Sequence, residues 1–245
     1  MIRIAKYLAH AGLGSRRTME EWILAGKIKV NNVVITQCAT FIDPENDTIT
    51  IDGKPFVVEA KDFTYLMINK PSGYLSTTED THGRKTVLDL LPEEYHGKKL
   101  ILVGRLDKES EGLMFLTDNG ALAHVLMHPS FEKEKEYIVH FRGQVKMTDF
   151  ERLREGVYIP LEDEKTALVK AHQINTILVG EKRTKATITL TEGKKRQLRL
   201  MGEAIAHPVT YLSRVRIGPL ELGDLPLGST RTLTEKEITT FLALL

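Results

Sequence analysis

Three stretches of this chain bring together residue types that could do chemistry. The first is Gly104-Arg105-Leu106-Asp107, inside GRLDKESEGLMFLTDNG. The second is KEKEYIV, in which Tyr137 lies among charged neighbours, and the third is TEGKKRQLRLM, where Gly193 opens a run of Lys194, Lys195, Arg196 and Arg199. Asp107 sits between LILVG and LMFLT, two short apolar runs bounded by turn residues, which is the pattern of buried strands. The carboxylate therefore belongs to a loop held at both ends, the usual place for a reactive group. Helical spacing puts Arg196 and Arg199 on one side of the basic helix, with Leu198 and Met201 toward a core. A guanidinium such as Arg199 beside Asp107 would favour the charged carboxylate even in a dry pocket, leaving it usable as a nucleophile or base. The same pair could equally be a buried tie between loop and helix.

Other chemistries fit these residues less well. A glycosidase-like pair of Asp107 with Glu109 or Glu111 would need a separation that loop neighbours do not fix. Ser110 lacks the G-x-S-x-G elbow of a hydrolase. His124 and His128 stand four apart on a helix but have no third ligand in the pattern, so no metal site is expected. The single cysteine, Cys38, excludes an intrachain disulfide and a multi-cysteine metal centre.

The elements that must position these groups fall into two parts. In residues 1–60, Ile4, Tyr7, Leu8 and Ala11 share a helical face, and Gly12 and Gly14 end that helix. Ser15 is suited to cap a second helix carrying Met19, Trp22 and Ile23, closed by Gly26. IKVNNVVI then reads as two strands around Asn31-Asn32, and ITIDGKPF adds a strand and turn. Glu59–Asp62 reads as a linker. From residue 63 to 245 strands alternate irregularly with helices, which predicts a mixed α+β domain with a largely antiparallel sheet.

The 245 residues are 42% hydrophobic and 27% charged, with no apolar run long enough for a membrane helix and no leader pattern, so a cytoplasmic protein without a membrane partner is expected. A net charge of +1 rules out a uniformly basic coat. Residues 1–30 nevertheless carry six cations, Arg16 and Arg17 among them, against Glu20 and Glu21. Such a local excess suits a phosphate-binding face, although a solvated helix face carries charge in the same way.

GRLD followed by KESEGLMFLTDNG closely resembles the catalytic motif of the RsuA/RluB family of ribosomal RNA pseudouridine synthases. LMINKPSGYLST, GRKTVLDLLP, HPSFEKEKEYIV, LTEGKKRQLRLM and HPVTYLSRVRIGPLELGDLPLG match in order, over nearly all of residues 63–240. LAHAGLGSRRTMEEWILAGKIKVNN is similar to the small αL RNA-binding motif of a ribosomal protein and tyrosyl-tRNA synthetases. The resemblance implies an α+β fold, with a small two-helix-plus-hairpin RNA-binding domain over 1–60 and a pseudouridine synthase domain over 63–245. It also implies an isomerisation without cofactor or metal, in which uridine's glycosidic bond is cut and the base rejoins the ribose through carbon 5. Asp107 matches the essential carboxylate, Tyr137 the tyrosine that stacks on the target base, and Arg199 the partner of the aspartate. Arg105 matches a residue that holds the RNA with its uridine flipped out, and Arg16, Arg17, Lys194, Lys195 and Arg196 are the expected phosphate contacts. The implied partner is ribosomal RNA, as a stem-loop or in an assembling subunit, bound by a monomer. The GLGSRR, GRKTVLDLLP and VGRLDKESEGLMFLT segments look closer to large-subunit enzymes. A small-subunit enzyme and a non-catalytic RNA-binding assembly protein are the alternatives, and a nucleoside or glycoside hydrolase is a third. Two positions depart from the family: Leu200 replaces a frequent arginine, and Ala206-His207 replaces the usual Gly-His.

Overall fold

The computed structural model describes all residues except 12, 15, 45, 57–61, 128–132, 162–164 and 244–245. The chain divides into two compact units, Met1–Phe63 with Asn119–Ala121, and Thr64–Asp118 with Leu122–Leu245.

The first unit contains β1 (Ile2–Arg3), α1 (Ile4–His10), α2 (Arg16–Leu24), β2 (Ile28–Val30), β3 (Val33–Val34), β4 (Phe41–Ile42), β5 (Ile49–Ile51) and β6 (Lys54–Phe56). Its core is Ile4, Ala5, Leu8, Met19, Ile23, Ile28, Ile42 and Ile49, with Tyr7 and Trp22 packed at the edge. Ala5 rather than Ala11 completes the buried face of α1, because the helix stops at His10 and Ala11 only caps it. The expected roles of Gly12 and Ser15, and most of the proposed linker, lie outside the described residues. Asn31 and Asn32 take φ of 48° and 65°, the left-handed pair that a two-residue hairpin requires. ITIDGKPF forms a whole second hairpin on the same principle, turning at Asp52 and Gly53. The first hairpin is tied from outside, since Asn31 donates to Asp47 Oδ1 at 2.7 Å and accepts from the Thr48 N–H at 2.9 Å.

The second unit contains β7 (Tyr65–Lys70), β8 (Ile101–Val103), β9 (Glu111–Thr117), α3 (Gly120–Met127), β10 (Lys135–Arg142), α4 (Met147–Glu155), β11 (Val157–Pro160), β12 (Thr166–Val169), β13 (Gln173–Val179), β14 (Arg183–Leu190), α5 (Gln197–Ala204), β15 (Val209–Ile217), β16 (Leu220–Glu221), β17 (Thr230–Thr232) and α6 (Glu235–Leu242). Among the described residues nine strands form one sheet, ordered β13-β14-β10-β15-β9-β7-β17, with β16 on β15 and β8 on β9. Its pairs are antiparallel except β15 with β9. The core includes Val139, Phe141, Phe150, Leu153, Ile188 and Met201. TVLDLLP forms a 3-10 turn over Val87–Leu90 with a capping box between Thr86 and Asp89. No helix among the described residues is long and apolar enough to cross a membrane.

One feature of this sheet sets the geometry of the Asp107 loop. β7 pairs with β9 continuously from Gly112 to Thr117, so β8 and β15 must share the other edge. β15 takes Glu111 and Gly112 in parallel, and β8 takes Phe115 to Thr117 antiparallel. Residues 104–110 leave the sheet in the fork between them.

Candidate active site

The fork is held by buried donors. Arg214 of β15 is 1% exposed, and its guanidinium donates to the Leu113 carbonyl at 2.9 Å and to that of Arg105 at 3.5 Å. It thereby grips the chain on both sides of the loop. Gly112 permits this approach: a side chain there would run into the backbone of Arg214, whose N lies 2.6 Å from the Cβ position, and its φ is 103°. Lys70 ends β7 with no exposed surface, and its ammonium donates to the carbonyls of Ser110 (2.6 Å), Pro71 (2.9 Å) and Lys108 (3.3 Å). Burial pulls its pKa down to about 8, against the opposing pull of Glu111, Glu109 and Asp107. Ser76 Oγ donates to the Leu106 carbonyl at 2.7 Å and accepts from the Leu106 N–H at 3.1 Å. The Ser110 N–H closes onto the Asp107 carbonyl at 3.0 Å. Nearly every backbone carbonyl from 105 to 110 thus has a partner, which fixes the loop against a rigid sheet.

Asp107 points from this loop toward α5, where Arg199 Nε lies 3.9 Å from its Oδ2. Arg199 also donates to Ser110 Oγ at 3.2 Å and to the Val209 carbonyl at 3.3 Å, while its buried Nε–H has no hydrogen-bond partner among the described residues. The guanidinium is therefore set by groups other than Asp107. The carboxylate, 27% exposed, faces it at ion-pair range and, among the described residues, without a hydrogen bond that would spend its lone pairs.

Asp107 opens into a cleft of about 1890 Å³ within the second unit, large enough for several nucleotides. Tyr137, buried in β10, lines it, as do Arg105, Lys194, Lys195 and Arg196. Arg196 is not in the first turn of α5. It caps the helix in a left-handed conformation, φ 56°, and pairs with Glu109 at 3.3 Å. Glu109 stays below the usual carboxylate range through its own backbone N–H and the charges of Arg196 and Arg199. Lys194 lies 3.5 Å from Glu192. Gln197, also in the basic motif, is buried and ties Glu192 to the Lys194 N–H, so it holds the turn that presents these cations. Arg16 and Arg17 belong to the first unit, where Arg16 pairs with Glu20 at 3.3 Å and Arg17 is exposed. Among the described residues no three His, Cys, Asp or Glu side chains gather as a metal site would require, and His128 lies outside them.

Lys70, Ser76 and Arg214 were not singled out from the sequence. Lys70 carried a signal: it ends a strand buried at all six positions, where a lysine must find oxygen partners.

Residues 64–204 match the family model described as RNA pseudouridylate synthase. The chain belongs to that family. The synthase also matches the S4 domain model over residues 2–49. It is 39% identical over 238 residues to an uncharacterised RNA pseudouridine synthase of Mycobacterium tuberculosis, covering 97% of this chain and 91% of the relative. Its identity to ribosomal large subunit pseudouridine synthase B of Bacillus subtilis is 37% over 240 residues, covering 97% and 94%. A crystal structure of a pseudouridylate synthase superposes with a TM-score of 0.66 at 25% identity, covering 98% of this chain and all of the other. The synthase is accordingly an isomerase that converts uridine in RNA to pseudouridine, on an α+β scaffold that carries an S4 domain at its N-terminus.

Proposed function

We propose that the substrate is ribosomal RNA, of the large subunit, and that Asp107 is the catalytic carboxylate. The observation that carries the reading is the placement of Asp107: on an immobilised loop, facing Arg199, at the wall of a cation-lined cleft. The large-subunit assignment leans on the named Bacillus subtilis relative, matched over almost its whole length.

In this reading residues 1–60 are the RNA-binding domain and 63–245 the catalytic domain. A base inside a helix must leave its stack before its glycosidic bond is reachable, at a cost of a few kcal/mol. Arg105 holds the strand with the uridine extruded, and Tyr137 stacks on the base and offsets the cost. Asp107 then attacks the anomeric carbon, or takes the C2′ proton to give a glycal, as the C1′–N1 bond breaks. The detached uracil turns in the pocket and C5 bonds to C1′, displacing the Asp107 carboxylate on the first route, or as Asp107 returns the proton to C2′ on the second. The proton leaving C5 and the one gained at N1 balance, so RNA mass is unchanged and no free base appears. Arg199 stabilises the carboxylate that leaves or is regenerated. Arg16, Arg17, Lys194, Lys195 and Arg196 bind phosphate, which positions RNA without reading its sequence. The acting unit is a cytoplasmic monomer.

The test is carbodiimide mapping of pseudouridine in unmodified RNA of both ribosomal subunits, treated with wild type or with Asp107→Asn. One new large-subunit site with wild type only is expected. The variant should keep RNA affinity and lose about 10²- to 10⁴-fold in turnover, the range for a positioned acid-base group. A site in small-subunit RNA would overturn the subunit assignment, and full activity in the variant would overturn the role of Asp107.

A further inference from the structure

Alternation along β10 and β14 puts Tyr137, Val139 and Ile188 on the cleft and core side of the sheet and the intervening residues on the other. On that reverse face Arg142 pairs directly across from Arg183, and His140 across from Lys185. Tyr211 of β15 continues the second row beside His140, with ring centroids 4.8 Å apart. Arg142 and Arg183 are exposed, and His140, Lys185 and Tyr211 half-buried.

Like charges set directly opposite one another destabilise a sheet. Among the described residues no carboxylate lies within ion-pair distance of Arg142, Arg183 or Lys185. The acids elsewhere on this face are engaged: Glu136 with Arg216, and Glu111 beside the Tyr211 hydroxyl. Three unneutralised cations, Arg142, Arg183 and Lys185, set beside the His140–Tyr211 ring pair gain nothing for the sheet itself. They match what a single strand of nucleic acid needs, cations for its phosphates and π-faces for its bases. Burial and the charges of Arg183 and Lys185 push the His140 imidazole below its usual range, so the ring serves as a π-face and phosphate contact falls to Arg142, Arg183 and Lys185.

We propose that this reverse face is a second RNA site, taking a single-stranded segment of the substrate remote from the uridine in the cleft. The inference rests on RNA being the substrate and not on which RNA it is.

The test uses the full chain and a fluorescein-labelled 12-nucleotide oligoadenylate, which contains no uridine to modify, with anisotropy titrations from 50 to 200 mM salt. Each phosphate contact on a single strand contributes about 0.7 to the slope of log affinity against log salt. Arg183→Gln with Lys185→Gln should therefore flatten the slope by about 1.4, so that the loss of affinity across that fourfold salt range shrinks about sevenfold. The charge-conserving pair Arg183→Lys with Lys185→Arg should retain the slope. Turnover on a short stem-loop carrying only the target uridine should change less than twofold in both variants, which reads the cleft separately from the sheet. An unchanged slope in the glutamine variant overturns the proposal, as does loss of binding in the charge-conserving one. If the glutamine variant binds RNA normally but no longer captures a polyglutamate peptide, the face serves an acidic protein and the RNA assignment is wrong.

Discussion

Lys70 lets stability and catalysis be pulled apart. Its ammonium has no exposed surface, and its pKa falls from 10.5 to about 8, mainly through burial. At about 1.4 kcal/mol per pH unit, holding the charge inside the fold costs about 3 kcal/mol. Below about pH 8 the folded and unfolded chains both keep the proton, and this group adds no pH dependence. Between 8 and 10.5 the unfolded chain keeps it and the folded chain does not, so raising the pH favours folding. Lys70→Met retains most of the volume and removes the titration, while leaving the carbonyls of Pro71 and Ser110 without their donor and that of Lys108 with the Gly73 N–H alone. About 3 kcal/mol of relieved desolvation then stands against three lost partners at about 1 kcal/mol each, so net stability at pH 7 should stay within about 2 kcal/mol of wild type. Turnover should nonetheless fall about 10²-fold, because the loop bearing Asp107 is no longer pinned. Urea denaturation at pH 7.0 to 9.5 is the assay. The wild-type advantage over Lys70→Met should grow by about 2 kcal/mol between pH 8 and 9.5. Parallel stability profiles for the two proteins would refute the reasoning.

Two backbone positions give sharper, opposite outcomes. Ala206 is left-handed, φ 61°, where the family usually has glycine, so Ala206→Gly should raise stability by about 1 kcal/mol and the melting temperature with it, visible by calorimetry. Gly112→Ala should destabilise by about 3 kcal/mol or more, since the added methyl meets the Arg214 backbone and the φ is unsuited to it; a melting temperature within 2 °C of wild type, roughly the resolution of such a shift, would count against the close strand approach.

Much of the architecture was legible because period and punctuation agree. TYLMINK, LMFLT and KEYIVHF are strands whose apolar patterns leave little choice, and Asn31-Asn32 announces its hairpin by residue type alone. The Asp107 loop was legible for the same reason, being a polar heptad between two buried runs. The short or polar strands were not. TRT carries too few apolar residues for a period, and the apolar residues of QINTILV do not alternate, its register shifting between Asn175 and Leu178; both are strands because β7 and β14 offer them an edge. In the site, Asp107 and Arg199 could be paired by chemistry, whereas Arg214 and Ser76 could not. Their contacts are to backbone carbonyls, which every residue has and which leave no mark on residue choice. Arg196 shows the reverse error of a regular reading: spacing treats it as helical, but its backbone turns left-handed to cap α5, so its charge reaches Glu109 from outside the helix.

The clasp on the Asp107 loop is drawn from distant parts of the chain. Arg214 and the Arg105 carbonyl it holds are 109 residues apart, and Arg199 and Ser110 are 89 apart. Contacts of such long sequence separation form only after large loops have closed. During synthesis the loop itself is complete early, yet its fastening waits for β15 to leave the ribosome and enter the sheet. The centre therefore becomes ordered only late in synthesis, and a chain truncated before residue 214 should hold Asp107 without holding it in place. Activity in this protein then reports that β15 has been made and has entered the sheet, with no active nascent form that lacks it to act on RNA ahead of time.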